Sequence, residues 1–178
     1  MKMLAMFLLI CAVMALTNAS AAPEAEPDVK MGEPSVQGDE DRILKSSIFC
    51  PHGWSGYRGR CFLYIPTAMT WANAEKTCLN RGGNLASVHS FSEQNFIQSL
   101  ILSLTHSYPL TWLGGSDAEQ EGTWFWSDGT HFEFTYWDAG QPDNRAQSHC
   151  LLMNFGGNKK FDDQPCYYSM PFVCAMKP

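Results

Sequence analysis

The sequence predicts an α+β domain over residues 48–178, in which two helices come first and a series of short strands follows. Two segments in the first half of the domain place apolar residues at helical spacing. After Pro109, short runs of aromatic and branched residues alternate with Gly, Asp and Asn, as is typical of strands and turns. Cysteines are frequent for a domain of this size, which indicates a disulfide framework.

Residues 1–21 are typical of a secretory signal peptide. Lys2 precedes a mostly apolar run over residues 3–16, and small residues offer a cleavage site after Ala21 or Ala22. The run is shorter than the roughly 20 residues that a bilayer-spanning helix needs. We therefore expect a soluble, secreted, extracellular protein without a transmembrane segment.

Residues 22–47 form an acidic segment rich in proline and poor in large apolar side chains. Such a composition cannot bury a core, so we expect a disordered segment or a propeptide. From residue 48 onward, eleven acids outnumber eight bases, which gives a net charge of −3. This balance excludes a basic surface for nucleic acid.

Two amphipathic helices are predicted near the start of the domain. The first, in "TWANAEKTCLNRGG", has Thr70 as its N-cap and Gly82 beyond its end. The second, in "SFSEQNFIQSLILSL", opens with a capping box formed by Ser90 and Glu93. Its apolar residues follow at helical spacing, namely Phe96, Ile97, Leu100, Ile101 and Leu104.

Strands are predicted before and after these helices. The stretch "CPHGWSGYRGRCFLYI" favours a short hairpin closed by Cys50 and Cys61. Later strands are predicted in "TWLGG", "TWFWSDG", "FEFTYW", "HCLLMNF" and "PFVCAM". Polar stretches at 137–150 and 156–166 are predicted as long loops, which in compact domains are usually functional or disordered.

Six motifs in order resemble the C-type lectin domain family across residues 48–176. They are "CPHGW", "GGNLASVHS", "TWLGGSD", "EGTWFWSDGT", "GQPDN" and "PFVC". Within that family, the chain resembles the small secreted fish lectins of the ladderlectin and nattectin type and the related type II antifreeze proteins. The resemblance implies two helices, two small antiparallel sheets and a long ligand-binding loop.

The resemblance also implies how the cysteines pair. Cys11 lies in the predicted signal peptide, which leaves six of the seven cysteines for the domain. Their spacing alone does not choose among the possible pairings. The family pattern implies three disulfides, Cys50–Cys61, Cys78–Cys174 and Cys150–Cys166.

A calcium site is the main functional implication of the resemblance. Calcium takes about six to eight oxygen ligands, and the family's ligand positions fall on five residues here, Gln141, Asp143, Ser148, Asp162 and Asp163. Two positions depart from the family pattern, because Ser148 replaces a glutamate and Phe-Asp-Asp at 161–163 replaces Trp-Asn-Asp. Asp162 restores the negative charge that Ser148 loses, so we expect calcium to bind, but more weakly than with all the family ligands.

The order Gln141-Pro142-Asp143 is the pattern that the family associates with galactose. Gln141 can donate a hydrogen bond, whereas Asp143 only accepts. The resemblance implies that Gln141, Asp143 and Asp162 contact the sugar and that Pro142 follows a cis peptide bond. No aromatic side chain follows Asp143 within the loop to stack on a sugar. We expect galactose-containing glycans as partners, and an oligomer would raise the avidity of a weak single site.

A second calcium position of some family members would fall near Asp117, Glu121, Asn144 and His149. Only two of these four residues are acidic. We therefore expect no calcium there.

Three other functions compete with a calcium-dependent lectin. An antifreeze protein would share the fold, but type II antifreeze proteins carry more cysteines than this domain. A calcium-independent interaction module that has lost sugar binding is also compatible, and Ser148 in place of the family's glutamate is the evidence that favours it. An enzyme is disfavoured, since the sequence has no Gly-x-Ser-x-Gly elbow, phosphate-binding loop or HExxH helix.

Overall fold

A computed structural model describes residues 50–178. The predicted signal peptide and the acidic segment lie outside the described residues. Two helices and eight strands follow one another along the chain: β1 (Ser55–Tyr57), β2 (Arg60–Met69), α1 (Trp71–Leu79), β3 (Asn84–Leu85), α2 (Phe91–Thr105), β4 (Thr111–Ser116), β5 (Phe125–Trp126), β6 (Cys150–Phe155), β7 (Lys160–Gln164) and β8 (Met170–Met176).

The strands form one mixed sheet in the order β1-β2-β8-β4-β6-β7. Two antiparallel groups can be recognised within it. The first joins β1, β2, β3 and β8, and the second joins β4, β5, β6 and β7. A parallel pairing of Trp112 with Phe172 connects them. The two predicted sheets are therefore present as two halves of one sheet.

Both helices bury part of the apolar set that their spacing selects. In α2, Phe96 and Leu100 are partly buried, and Leu104 is 60% exposed, contrary to the prediction. Ile97 and Ile101 of α2 belong to one core cluster, and Ala74 and Cys78 of α1 belong to a second. Trp112, fully buried in the second cluster, donates its indole N–H to the Met69 carbonyl at 3.1 Å. The two clusters place one layer of core under each helix.

The predicted helix ends are close to those observed. Thr70 is the N-cap of α1, although its side chain makes no capping hydrogen bond. Ser90 caps α2, and its hydroxyl accepts a hydrogen bond from the Glu93 N–H at 3.2 Å. The Glu93 carboxylate reaches back to the His89 N–H at 2.8 Å rather than to Ser90.

A buried ion pair ties α2 to β2. The Arg60 guanidinium donates to Glu93 at 2.7 Å, and the side chains are 12% and 7% exposed. Arg60 also donates to the Ser87 hydroxyl at 2.8 Å, which in turn donates to Asp128 at 2.5 Å. This network joins segments that are distant in sequence, and Asp128 lies 3.9 Å from the Arg60 guanidinium as a second acidic partner.

Three disulfides close the domain with the pairing that the resemblance implies. They are Cys50–Cys61, Cys78–Cys174 and Cys150–Cys166. The second joins residues 96 positions apart in sequence and links α1 to β8. The third links the start of β6 to the segment just after β7.

Two predictions about the strands were wrong. The segment "FEFTYW" forms no strand and contributes one isolated bridge, between Trp137 and Phe161. The rings of Phe134, Tyr136 and Trp137 pack edge-on against the Phe161 ring instead. Conversely, the stretch at 156–166 was predicted as a loop but contains strand β7, which pairs with β6.

No helix in residues 50–178 is both long enough and apolar enough to cross a membrane.

Candidate functional site

The Gln-Pro-Asp segment lies in the long connection between β5 and β6, where main-chain hydrogen bonds anchor it to β7. The Asp138 N–H donates to the Phe161 carbonyl at 2.9 Å, and the Gln141 N–H donates to the Asp138 carbonyl at 3.0 Å. The Cys150–Cys166 disulfide joins the two chain segments next to this anchor. The loop is therefore fixed at its base by both covalent and main-chain contacts.

Asp163 holds the tip of the loop through both of its carboxylate oxygens. They accept hydrogen bonds from the Asp143 N–H at 2.9 Å and the Asn144 N–H at 2.8 Å. Asp163 is 1% exposed, so these hydrogen bonds are shielded from water. Its burial within a strand is possible because these main-chain donors satisfy its carboxylate.

Gln141 precedes a cis peptide bond to Pro142, as the resemblance implies. The Gln141 side-chain carbonyl oxygen is buried and has no hydrogen-bond partner among the residues that the structure describes. Buried polar oxygens are nearly always paired, and each exception calls for an explanation. An oxygen of this kind is suited to accept a hydrogen bond from a ligand or to bind a cation.

Asp162 is a buried carboxyl with two acidic neighbours. It is 1% exposed, and its hydrogen-bond partner is the Gln164 amide, which donates at 2.8 Å. Burial is the main cause that raises the pKa of Asp162 to about 6, and the charges of Asp163 and Asp143 add to it. The Gln164 hydrogen bond acts in the opposite direction. A cation near this carboxylate would relieve the cost of burying its charge.

Arg145 and Ser148 make contacts within the loop. The Arg145 side chain is 87% exposed and its Nε lies 3.1 Å from an Asp143 carboxylate oxygen. Ser148 is buried, and its hydroxyl donates to the Arg145 carbonyl. The Ser148 hydrogen is thus directed to the loop backbone, and Arg145 places a positive charge beside a predicted calcium ligand.

An open cleft of about 260 Å³ lies beside the loop. Gln141, Asp143 and Ser148 contribute to one side, and Gln164 and Tyr168 contribute from the segment at the end of β7 and beyond. The cleft therefore brings three predicted site residues together with others that were not predicted, Gln164 and Tyr168 among them. Asp162 and Asp163, on β7, are not among the residues that line it.

The oxygen donors fit calcium in chemistry but are spread out. Calcium prefers carboxylate and amide oxygens, which Asp143, Asp162, Asp163 and Gln141 supply. However, the three carboxylates do not bring one oxygen each within 4.8 Å of one another. Within residues 50–178, the ligand atoms of three other residues do. Adjacent strand residues point to opposite faces, and Asp162 and Asp163 contact different partners accordingly. A shared ion thus requires their side chains to move closer.

Asp117, Glu121 and His149 each place one ligand atom within 4.8 Å of the others. The His149 Nδ1 lies 3.1 Å from Asp117 and 3.6 Å from Glu121. Repulsion from Asp117 contributes, after burial, to raising the pKa of Glu121. These are three of the four residues considered for a second calcium position. A ring nitrogen replaces one oxygen donor, and calcium disfavours that exchange.

Gln164 and Tyr168 line the cleft but were not predicted as site residues. Gln164 lies in a segment that was predicted as a loop, and its role depends on the strand pairing of β7. Tyr168 follows Cys166, and the one sequence signal that could have placed it near the loop is the implied Cys150–Cys166 disulfide. Neither residue belongs to a motif of its own.

Comparison with known proteins gives a consistent relationship. The sequence profile of the Lectin C-type domain family matches residues 67–176. Ladderlectin from Oncorhynchus mykiss is 35% identical over 174 residues, which cover 96% of this chain and 92% of the relative. The galactose-specific lectin nattectin from Thalassophryne nattereri is 45% identical over 132 residues, covering 74% of this chain and 82% of the relative.

A solved structure supports the same relationship. The herring type II antifreeze protein superimposes with a TM-score of 0.69 at 36% sequence identity, and the match covers 72% of this chain and 99% of the herring chain. Family profile, sequence relatives and fold all agree, as do the three disulfides. The chain belongs to the C-type lectin domain family, and it is a binding protein rather than an enzyme.

Proposed function

We propose that the protein is a secreted lectin that binds galactose-type glycans through a calcium ion held by Gln141, Asp143, Asp162 and Asp163. The observation that carries this proposal is the buried, unpartnered carbonyl oxygen of Gln141 beside the cleft. Together with Asp143, it offers a pair of polar groups on the two sides of Pro142. Ser148 would support the loop through Arg145 and add at most a hydroxyl oxygen to the ion.

The charge distribution supports a cation at this place. Burial, together with the charges of Asp163 and Asp143, raises the pKa of Asp162. Within residues 50–178, the cation observed beside them is Arg145, whose side chain is mostly in solvent. A divalent ion in the same region would neutralise two of the three charges.

The role of each cleft residue follows from its hydrogen-bonding groups. When bound, calcium supplies a Lewis-acidic centre to which hydroxyl oxygens of a sugar can bind. The Gln141 amide N–H₂ group can donate to a hydroxyl oxygen, while Asp143 can accept from a hydroxyl hydrogen. Asp163 keeps the Asp143 backbone in place, so the two groups flanking Pro142 stay in register.

The galactose preference is supported by the order Gln141-Pro142-Asp143 and by the similarity to nattectin, whose name states galactose specificity. Secretion is supported by the signal-peptide features of residues 1–21. The proposal treats residues 22–47 as an acidic leader segment or propeptide ahead of the lectin domain.

The test is retention on immobilised galactose and immobilised mannose in calcium, followed by elution with a chelator. We expect retention on galactose, release by the chelator and little retention on mannose. Gln141→Ala should abolish retention, whereas Gln147→Ala should not, because Gln147 is an exposed amide in the same loop. Equal behaviour of these two variants, or retention that survives the chelator, would contradict the proposal.

Ice binding is a second candidate, favoured by the match to the herring antifreeze protein. Thermal hysteresis of the purified protein tests it directly, with a lectin variant such as Gln141→Ala as comparison. Hysteresis without retention on either sugar column would favour the antifreeze function. The absence of both activities would favour a sugar-independent interaction module.

A further inference from the structure

Tyr168 is an aromatic side chain that faces the candidate sugar cleft from outside the Gln-Pro-Asp loop. It lines the cleft together with Gln141 and Asp143, and it is 42% exposed. The sequence offers no aromatic residue in the loop after Asp143, so stacking on a sugar needs a ring from elsewhere in the chain. The fold supplies one from the segment between β7 and β8.

The position of Tyr168 is fixed by its surroundings. Its N–H donates to the Pro165 carbonyl at 3.0 Å, which closes a turn. Cys166, within that turn, is bonded to Cys150 at the start of β6. The Tyr167 ring packs edge-on against the Tyr168 ring, with centroids 5.0 Å apart and planes at 84°. A ring held in this way loses little conformational freedom when a ligand packs on it.

Other aromatic residues near the loop are already engaged. Trp137 packs against Trp124 with ring centroids 4.8 Å apart, and against Phe161 at 6.0 Å. Tyr167 is 67% exposed but does not line the cleft. Among the residues described, two aromatic side chains line the cleft, Tyr168 and Phe155. Tyr168 is the exposed one, because Phe155 is partly buried.

We propose that Tyr168 is a specificity-determining residue of the lectin site, forming the surface on which the apolar face of the saccharide packs. The inference rests on the proposed function. A galactose-type pyranose, with its axial 4-hydroxyl, presents adjacent C–H groups as one apolar patch, whereas the same patch is interrupted in glucose and mannose. A ring that lines the same cleft as Gln141 and Asp143 therefore favours the galactose type and orients its hydroxyls toward these polar groups.

The test compares Tyr168→Ala, Tyr168→Phe and Phe125→Ala with the wild-type protein. Calorimetry with methyl β-galactoside at saturating calcium gives the sugar affinity, and calorimetry with calcium alone gives the metal affinity. We expect Tyr168→Ala to weaken galactoside binding about three- to tenfold, with calcium affinity unchanged. Tyr168→Phe keeps the ring and should stay near wild type, as should the control Phe125→Ala, which removes an exposed ring outside the cleft.

An independent measurement uses the wild-type protein alone. On titration with the galactoside, NMR signals of the Tyr168 ring protons should shift more than those of Tyr167. Wild-type affinity in Tyr168→Ala, or a Tyr168 signal that does not move while the sugar binds, would overturn the inference and leave the lectin function standing. A wild-type protein that binds calcium but no sugar would overturn both.

Discussion

Replacing Asp162 with asparagine should stabilise the calcium-free protein at neutral pH. Asp162 is 1% exposed and lies near Asp163 and Asp143, so its ionised form is unfavourable in the folded state. The asparagine side chain would keep an oxygen that accepts from the Gln164 amide, and it has nearly the same shape. The substitution therefore removes the buried charge and little else.

The magnitude follows from the pKa. The pKa of Asp162 rises from 3.8 to about 6 on folding, and each unit corresponds to about 1.4 kcal/mol. Asp162→Asn should thus raise the free energy of unfolding at pH 7 by at most about 3 kcal/mol. Because the folded-state pKa is the higher one, the Asp162 contribution to stability is fully present below about pH 3.8 and is lost as the pH rises through about 6. The advantage of the variant should shrink accordingly between pH 7 and pH 4.

Urea unfolding in a chelator, with the disulfides intact, measures the effect at both pH values. Asp163→Asn is the matched control, because the neighbouring acid uses both oxygens to accept main-chain N–H groups. The asparagine N–H₂ group would point at one of these main-chain N–H groups, so Asp163→Asn should lower the free energy of unfolding by about 1–3 kcal/mol. Destabilisation of the protein by Asp162→Asn at pH 7, or a gain that is the same at pH 4, would refute the reasoning.

Four further outcomes are expected. Calcium affinity, measured by calorimetry, should fall as the pH is lowered through about 6, because Asp162 takes up a proton; an affinity that is flat from pH 7 to 5 would contradict this. The double variant Gln141→Glu with Asp143→Asn should shift column retention from galactose toward mannose, because it exchanges donor and acceptor; unchanged retention would separate sugar choice from these two groups. Arg145→Gln should tighten calcium binding about two- to threefold at low ionic strength and leave it unchanged in high salt, because its charge is exposed; a salt-independent gain would indicate a change in loop structure. Glu93→Ala should cost about 1–3 kcal/mol in urea unfolding, because Arg60 would keep Asp128, at 3.9 Å, as its charged partner while the His89 N–H would lose its acceptor; a loss below about 0.5 kcal/mol would show that Asp128 and Ser87 are sufficient partners for Arg60.

The helices and the disulfides could be predicted because their signals are local or belong to the family pattern. The spacing of Ile97 and Ile101 selected the buried face of α2, and Ser90 marked its start. Strand β7 could not be predicted in this way, since Asp is depleted in strands. Asp162 and Asp163 are accommodated there through contacts with Gln164 and with the loop backbone, which no local pattern reports.

The aromatic segment at 132–137 was predicted as a strand but does not form one. Its alternating side chains fit a strand, but a strand also needs a partner with free main-chain groups. Here the main-chain pairing with β7 is limited to one bridge, in which Phe161 donates to the Tyr136 carbonyl and accepts from the Asp138 N–H, while Phe134 and Tyr136 pack on the Phe161 ring. Tyr168 could not be predicted for a related reason, because its place in the cleft results from the turn after Pro165 and from the pairing of β6 with β7.

Asp163 holds the loop through hydrogen bonds from main-chain N–H groups. These hydrogen bonds do not depend on which side chains the tip of the loop carries. Residues 144–147 are all exposed, and three of them, Asn144, Ala146 and Gln147, have positive φ angles of 53°, 55° and 59°. Random libraries at these positions, biased toward Gly and Asn where φ is positive, would vary the recognition surface without disturbing the scaffold. The domain could therefore serve as a scaffold for library display, with residues 144–147 as the variable positions and Asp163 as the residue that holds the loop backbone in place.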